Sequence, residues 1–147
     1  MDIKHLTPKN PILAVGALVF HSDRVLLVRR NNPPNQGLWS IPGGKVELGE
    51  SLQAAAEREI WEETRIEIRA KTPIFCFDTI ERDAEGNVRF HYVIIDLIAE
   101  YVSGEAAPGD DANDAMWFSK TDLTHSCLSE MTRQLLSDQF NFGGQVE

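Results

Sequence analysis

Three carboxylates, Glu59, Glu62 and Glu63, fall within one helical turn of the segment "GGKVELGESLQAAAEREIWEETRIEI" at residues 43–68, with Glu50 and Glu57 ahead of them. Like charges this close disfavour joint ionisation, so such a group either holds a proton or binds a cation. A helical wheel tells a solvated cluster from a buried one. With about 100° per residue and Leu52 at zero, Ala56 falls at about 40°, Ile60 at about 80° and Ala55 at about 300°, which defines an apolar arc. Glu59 at about 340° and Glu63 at about 20° lie inside that arc, and Glu62 at about 280° borders it. A solvated acidic face would stand opposite Leu52 and Ala56, where Ala54 and Trp61 stand instead. Inward carboxylate oxygens are hard donors that suit Mg²⁺ or Mn²⁺, ions that keep part of their water and share substrate phosphates.

The residues around the three glutamates fit a cation site. Gly43 and Gly44 let the backbone approach an ion closely, and a carbonyl there adds a ligand without adding charge; a plain turn would use the same pair. Ser51 is a cap for the helix start, and Glu50 suits the positive end of its dipole. Arg58, at about 240° on the wheel, is placed to pair with an acidic neighbour and hold it in one orientation.

The elements that must position these groups follow from the pattern. "PILAVGALVF" has Val15, Ala17 and Val19 on one face and Ala14, Gly16 and Leu18 on the other, so it reads as a strand buried on both faces. It is too short to span a bilayer. A turn at His21, Ser22 and Asp23 leads to "RVLLVRR", its expected hairpin partner. "NNPPNQG" is a loop by composition. After the acidic helix, "IEIRAKTPIFCFDTIE" reads as extended with an interruption at Pro73, and "RDAEGNVRFHYVIIDLIAEYV" as its hairpin partner, apolar on both faces. The acidic loop 103–114, a short strand "AMWF" and one helix over 123–140 complete the chain. Strands and helices in this order, with strands buried on both faces, predict one α/β domain, a mixed sheet between helices.

A chain of 147 residues has room for one domain, and 42% hydrophobic with 25% charged residues is ordinary for a globular protein. The net charge of −9 repels polyanions and argues against binding a nucleic acid polymer, while a small anionic ligand bridged by a divalent cation is compatible with it. Cys76 and Cys127 have no zinc or disulfide spacing, and the expectation is two reduced, buried thiols in a cytoplasmic protein. No motif for a membrane or a partner helix is legible, which leaves the oligomeric state open, a homodimer included.

Gly44, Glu50, the run Arg58-Glu59-Ile60-Trp61-Glu62-Glu63-Thr64 and Ile66 resemble the signature of the Nudix hydrolases, which cleave a nucleoside diphosphate linked to another moiety. One position departs from the pattern: the family has Gly where this chain has Arg65. A side chain in the left-handed conformation costs roughly 1 kcal/mol, so a shifted helix end and slightly lower stability are expected. Beyond the signature, "LLVRRNNPPNQGLWSIPGGKVELGE", "FHYVIIDLIAEY" and "GDDANDAMWF" resemble the ADP-ribose pyrophosphatase-like branch. The fold that this resemblance implies is an α/β/α sandwich around a mixed sheet.

The resemblance also implies roles. Glu59 and Glu63 would bind Mg²⁺ or Mn²⁺, with Glu62 and the Gly43 carbonyl as further ligands; Arg58 would orient Glu59, Glu50 would support the metal shell through water, and Gly44 and Glu50 would border the bound substrate. The general base lies either in the helix or on the late loop, at Asp110 or Asp111. One of Arg29 and Arg30 can face a phosphate, because neighbours on a strand point oppositely. Trp39 and Phe75 are candidates to stack on a base, although an aromatic beside a strand is more often core. The leading substrate is ADP-ribose, giving AMP and ribose 5-phosphate. The alternatives are a nucleoside triphosphate, oxidised dGTP included, NADH, or a module that senses a nucleotide sugar without cleaving it. A sensor would be expected to lose a helix carboxylate and to carry a DNA-binding segment; the carboxylates are all present, and a chain this short leaves no room for the segment.

Overall fold

In β1, Ile12–His21, alternate residues are buried against opposite layers, and six consecutive positions from Ala14 to Val19 are buried. A computed structural model of the chain describes residues 9–31, 36–109 and 112–140. β1 turns into β2, Arg24–Arg30, through Ser22 and Asp23, both at positive φ (52° and 62°). Two such residues between the paired His21 and Arg24 make the tight turn whose twist matches that of the flanking strands.

Among the described residues the strands form one seven-stranded sheet. β3 is Trp39–Ser40, β4 Gly43–Lys45, β5 Glu67–Arg82, β6 Val88–Ser103 and β7 Ala112–Phe118. The order is β3-β2-β1-β6-β5, with β4 also on β1 and β7 also on β2. β1 and β6 run parallel from Ile12↔Tyr92 to Phe20↔Glu100, and the other pairs are antiparallel, so the sheet is mixed as expected. Pro73 does not end β5; it shifts the register between Ala70 and Phe75.

The sheet forks where it positions the site. β1 and β2 pair only at Phe20↔Val25 and His21↔Arg24. β6 lines the far edge of β1 and β7 the far edge of β2. β4 on β1 and β3 on β2 therefore fill the space between the diverging strands.

Helices cover both faces. α1, Leu52–Thr64, lays Ala55, Ala56 and Ile60 on Val15, Ala17, Val19 and Leu97. On the other face α2, Lys120–Thr124, and α3, Glu130–Phe140, set Leu123, Leu135 and Leu136 on Leu18, Val25, Leu27 and Phe118. This is the α/β/α sandwich.

Three expectations are corrected. The helix over 123–140 is two helices, because residues 127–129 give their backbone to β3: Trp39 N donates to the Cys127 carbonyl and Ser129 N to that of Trp39. The first half of β6 is only half-buried, since the core of both layers ends near Asp96 and Leu97. Cys76 and Cys127 are free but exposed.

Candidate functional site

α1 begins where Ser51 accepts from the Ala54 amide at 3.0 Å. Glu57 accepts from Ala70 N (2.9 Å) and Gln53 donates to the Lys71 carbonyl (3.0 Å), which ties the helix to β5 and fixes its rotation. That rotation buries Ala55, Ala56, Ile60 and Thr64 completely and leaves Trp61 51% exposed, as the wheel requires.

Glu59 consequently points at the backbone of β4. A Cβ on Gly44 would overlap the Glu59 carboxyl, so the glycine is what makes room for it. The Glu59 side chain is 18% exposed, and burial, opposed by Arg58, raises its pKa. Glu63 accepts from Gly43 N at 2.9 Å, and a Cβ on Gly43 would run into the Val15 carbonyl on β1. The two carboxylates thus meet the two glycines of β4, with the more exposed Glu62 beside them.

Arg58 holds this arrangement together. Its Nε and Nη2 donate to the two oxygens of Glu50 (2.7 and 2.9 Å), and Nη2 also donates to the Lys45 carbonyl (3.0 Å). Nη1 reaches Glu59 (3.0 Å) and Glu62 (3.3 Å). The fork of the guanidinium serves three carboxylates and a carbonyl, which the single charge of a lysine could not do with the same directionality. Arg58 and the Glu47 amide lower the Glu50 pKa to about 2, and Glu50 in turn raises that of Arg58. Both Glu50 oxygens are therefore occupied in positioning Arg58 and the 47–50 turn.

The far end of α1 departs from expectation. Arg65 adopts the left-handed conformation itself (φ 63°, ψ 22°) and its amide donates to the Trp61 carbonyl, so the helix closes on a left-handed residue without a shift. Its guanidinium lies 4.5 Å from the Trp61 ring centroid, a cation–π contact that offsets part of the strain. Ala107 N and Gly109 N donate to the Thr64 and Glu63 carbonyls. Gly109 was not singled out in the sequence, yet any Cβ there would strike the Glu62 carbonyl. Asp110 and Asp111, which follow it, lie outside the described residues.

Arg29 and Trp39 belong to the opposite face. Arg29 is in register with Trp39 and Asp114, its guanidinium carbon sits 5.7 Å from the Trp39 ring, and Nη2 reaches Asp114 at 3.3 Å. Its buried Nε has no partner among the described residues. Trp39 packs edge-on to Phe118 (4.7 Å) and, with Phe75, against the α3 cluster. The Arg30 amide and carbonyl are bonded to Leu38 and Gly37, which closes the base of the loop before β3. Asp96, a lone carboxylate in "VIIDLIA", is buried on this face as well, against Gly16.

Hard oxygen donors converge on β4 from one helix, and the bare glycines let them approach its backbone. Among the described residues no three acidic, His or Cys side chains form a ready cage. Two carboxylates and a backbone carbonyl still suit an Mg²⁺-type ion that completes its shell with water and substrate oxygens.

An α/β/α sandwich with a carboxylate-bearing helix over a glycine edge strand defines the class. The NUDIX domain model matches residues 10–138, and the chain belongs to that family. The chain is 34% identical over 114 residues to an ADP-ribose pyrophosphatase of Methanocaldococcus jannaschii, covering 78% of this chain and 65% of that one. It is 54% identical over 134 residues to a putative 8-oxo-dGTP diphosphatase of Bacillus subtilis, covering 88% and 81%. The crystal structure of a MutT NUDIX hydrolase from Burkholderia pseudomallei superposes with a TM-score of 0.74 at 33% identity, covering 88% and 98%. No described helix is long and apolar enough to cross a membrane.

Proposed function

We propose that this protein is a cytoplasmic, divalent-metal-dependent pyrophosphohydrolase that cleaves ADP-ribose to AMP and ribose 5-phosphate. The observation that carries the reading is the seating of Glu59 and Glu63 against Gly44 and Gly43. Similarity to the archaeal ADP-ribose pyrophosphatase supports the substrate.

In the reaction, water adds to one phosphorus of the diphosphate, the bridging oxygen leaves with the other phosphate, and one proton is released. Glu59, Glu63, Glu62 and the Gly43 carbonyl would hold Mg²⁺ or Mn²⁺, which supplies Lewis acidity and lowers the pKa of bound water. Arg58 keeps the Glu59 oxygens in one orientation, and Glu50 keeps Arg58 in place. Gly44 leaves the Glu59 carboxyl its space. The proton is taken by Asp111 or by a carboxylate of α1. Of the two neighbouring arginines, Arg29, whose buried Nε has no partner among the described residues and whose guanidinium lies on Trp39, contacts the nucleotide, and Arg30 on the opposite face of the strand does not.

Phosphatase-coupled phosphate release from ADP-ribose, NADH, 8-oxo-dGTP and a diadenosine polyphosphate tests this, with Mg²⁺ or EDTA. The expected result is Mg²⁺-dependent release that is fastest from ADP-ribose. Glu63→Gln should lower it by about 100-fold or more with the thermal melt of the apo-protein unchanged or raised. Normal turnover by that variant sinks the metal-site reading. The 54% identity to a putative 8-oxo-dGTP diphosphatase favours oxidised dGTP as the second reading. Silence across the panel with tight nucleotide binding would make the protein a sensor.

A further inference from the structure

Asp96 sits in the middle of β6, 3% exposed, with no hydrogen bond or ion pair to any described residue. Desolvation alone pushes its pKa up to about 7. A carboxyl kept in such surroundings holds its proton to a higher pH than a free aspartate does, and no described residue pairs with it.

Its neighbours are apolar or backbone, and a side-chain-free strand position leaves the carboxyl its space. Across β1 it faces Gly16, and a Cβ there would overlap Asp96 Oδ1 and crowd Ile41 Cγ2 (3.2 Å) and the Pro42 carbonyl (3.4 Å). Across β5 its register partner is Phe75. Trp39, Ile41 and Phe75 remain only partly buried, at the rim of the cluster that α3 covers. The carboxyl is therefore flanked by a side-chain-free strand position, an aromatic ring and an apolar rim. Gly16 is also the register partner of Gly43, the residue bonded to Glu63 on the opposite face. At this level β4 lies in the fork beside β1, so a single strand's backbone stands between Asp96's face and that of Glu63.

We infer that Asp96 reads the base of the bound nucleotide, its carboxyl pairing with the amino group and adjacent ring nitrogen of adenine. A neutral carboxyl presents one O–H donor beside one carbonyl acceptor. Adenine offers the complement, an N6–H donor beside a ring-nitrogen acceptor. The donor pair of guanine at N1–H and N2–H instead calls for an ionised carboxylate, the form that this apolar site disfavours. The inference deepens the proposed function and rests on it for the position of the diphosphate.

The test measures KM and kcat for ADP-ribose and GDP-mannose, and calorimetric Kd for AMP and GMP, in wild type, Asp96→Leu and Asp96→Asn. Wild type should prefer adenine. Asp96→Leu should raise the ADP-ribose KM and AMP Kd by about tenfold, with kcat nearly unchanged, and collapse the adenine-to-guanine ratio. Asp96→Asn, whose amide also offers a donor beside an acceptor, should restore that ratio, and a purely structural role would not produce this pattern. An unchanged ratio in a folded Asp96→Leu protein overturns the inference, as does wild-type protein that binds neither AMP nor GMP. Absence of ADP-ribose turnover alongside an AMP affinity that depends on residue 96 would defeat the hydrolase reading and leave the base contact standing.

Discussion

Glu59 and Asp96 are both carboxylates drawn into the protein, both with pKa values raised chiefly by burial, one on each face of the same sheet. They differ in company. Glu59 lies beside Arg58, itself bound to Glu50, Glu62 and Lys45, whereas Asp96 has no charged or polar partner among the described residues. A neighbouring guanidinium favours the charged form, and a carboxylate that must meet a cation needs that form; isolation favours the neutral form, which can both donate and accept. Burial alone therefore does not define the chemistry of an acidic residue, and its partners do.

Among substitutions that act on this contrast, Arg58→Ala should give the largest effect, because it removes that company from Glu59. We expect kcat on the preferred substrate to fall about 10–100-fold, as for loss of a group that orients a metal ligand, with Arg58→Lys recovering only part of it. Wild-type kcat in the alanine variant would erase the contrast between the two carboxylates.

Asp96→Asn sharpens the same contrast through stability. The folded pKa of Asp96 is raised to about 7, so its carboxyl is well tolerated below the unfolded value, and stability is lost as pH rises through the folded one. Urea unfolding of the apo-protein should find the asparagine variant more stable than wild type at pH 8 by about 1–3 kcal/mol, the cost of a poorly satisfied buried polar group. The gap should close toward pH 4. A constant gap would mean that ionisation of Asp96 is not its origin.

Arg65→Gly should have the smallest effect. Glycine removes the left-handed strain but also the contact with Trp61, so the two terms, each about 1 kcal/mol or less, nearly cancel. Arg65→Ala, which keeps the strain and loses the contact, should be the least stable of the three in thermal melts.

The local rules made much of this legible. A wheel placed Glu59 and Glu63 toward the core because a helix rotates by a fixed angle, and Ser51 declared the helix start through its hydroxyl. Alternation in "PILAVGALVF" gave a strand covered on both faces. What stayed hidden depends on partners far along the chain. Residues 127–129 leave the helical path because Trp39, nearly ninety positions earlier, takes their backbone. Tyr92 and Ile94 look as buried as Val15 in sequence, yet the helices end before they can cover them. Arg65 keeps the helix end in place because an aromatic ring one turn back supports it. Asp96 was visible as a letter, but its isolation is a property of three strands at once.

The amides of Ala107 and Gly109 occupy carbonyls in the last turn of α1 that a helix ordinarily leaves to water. The end that bears Glu62 and Glu63 therefore cannot fray alone. Opening it must release the segment before Asp110 as well, so the amides of both stretches should exchange their hydrogens with solvent as one cooperative unit. The end of the acidic helix and the segment 107–109 are thereby bound into a single mechanical element, although the β5–β6 hairpin, Glu67 to Ser103, separates them along the chain.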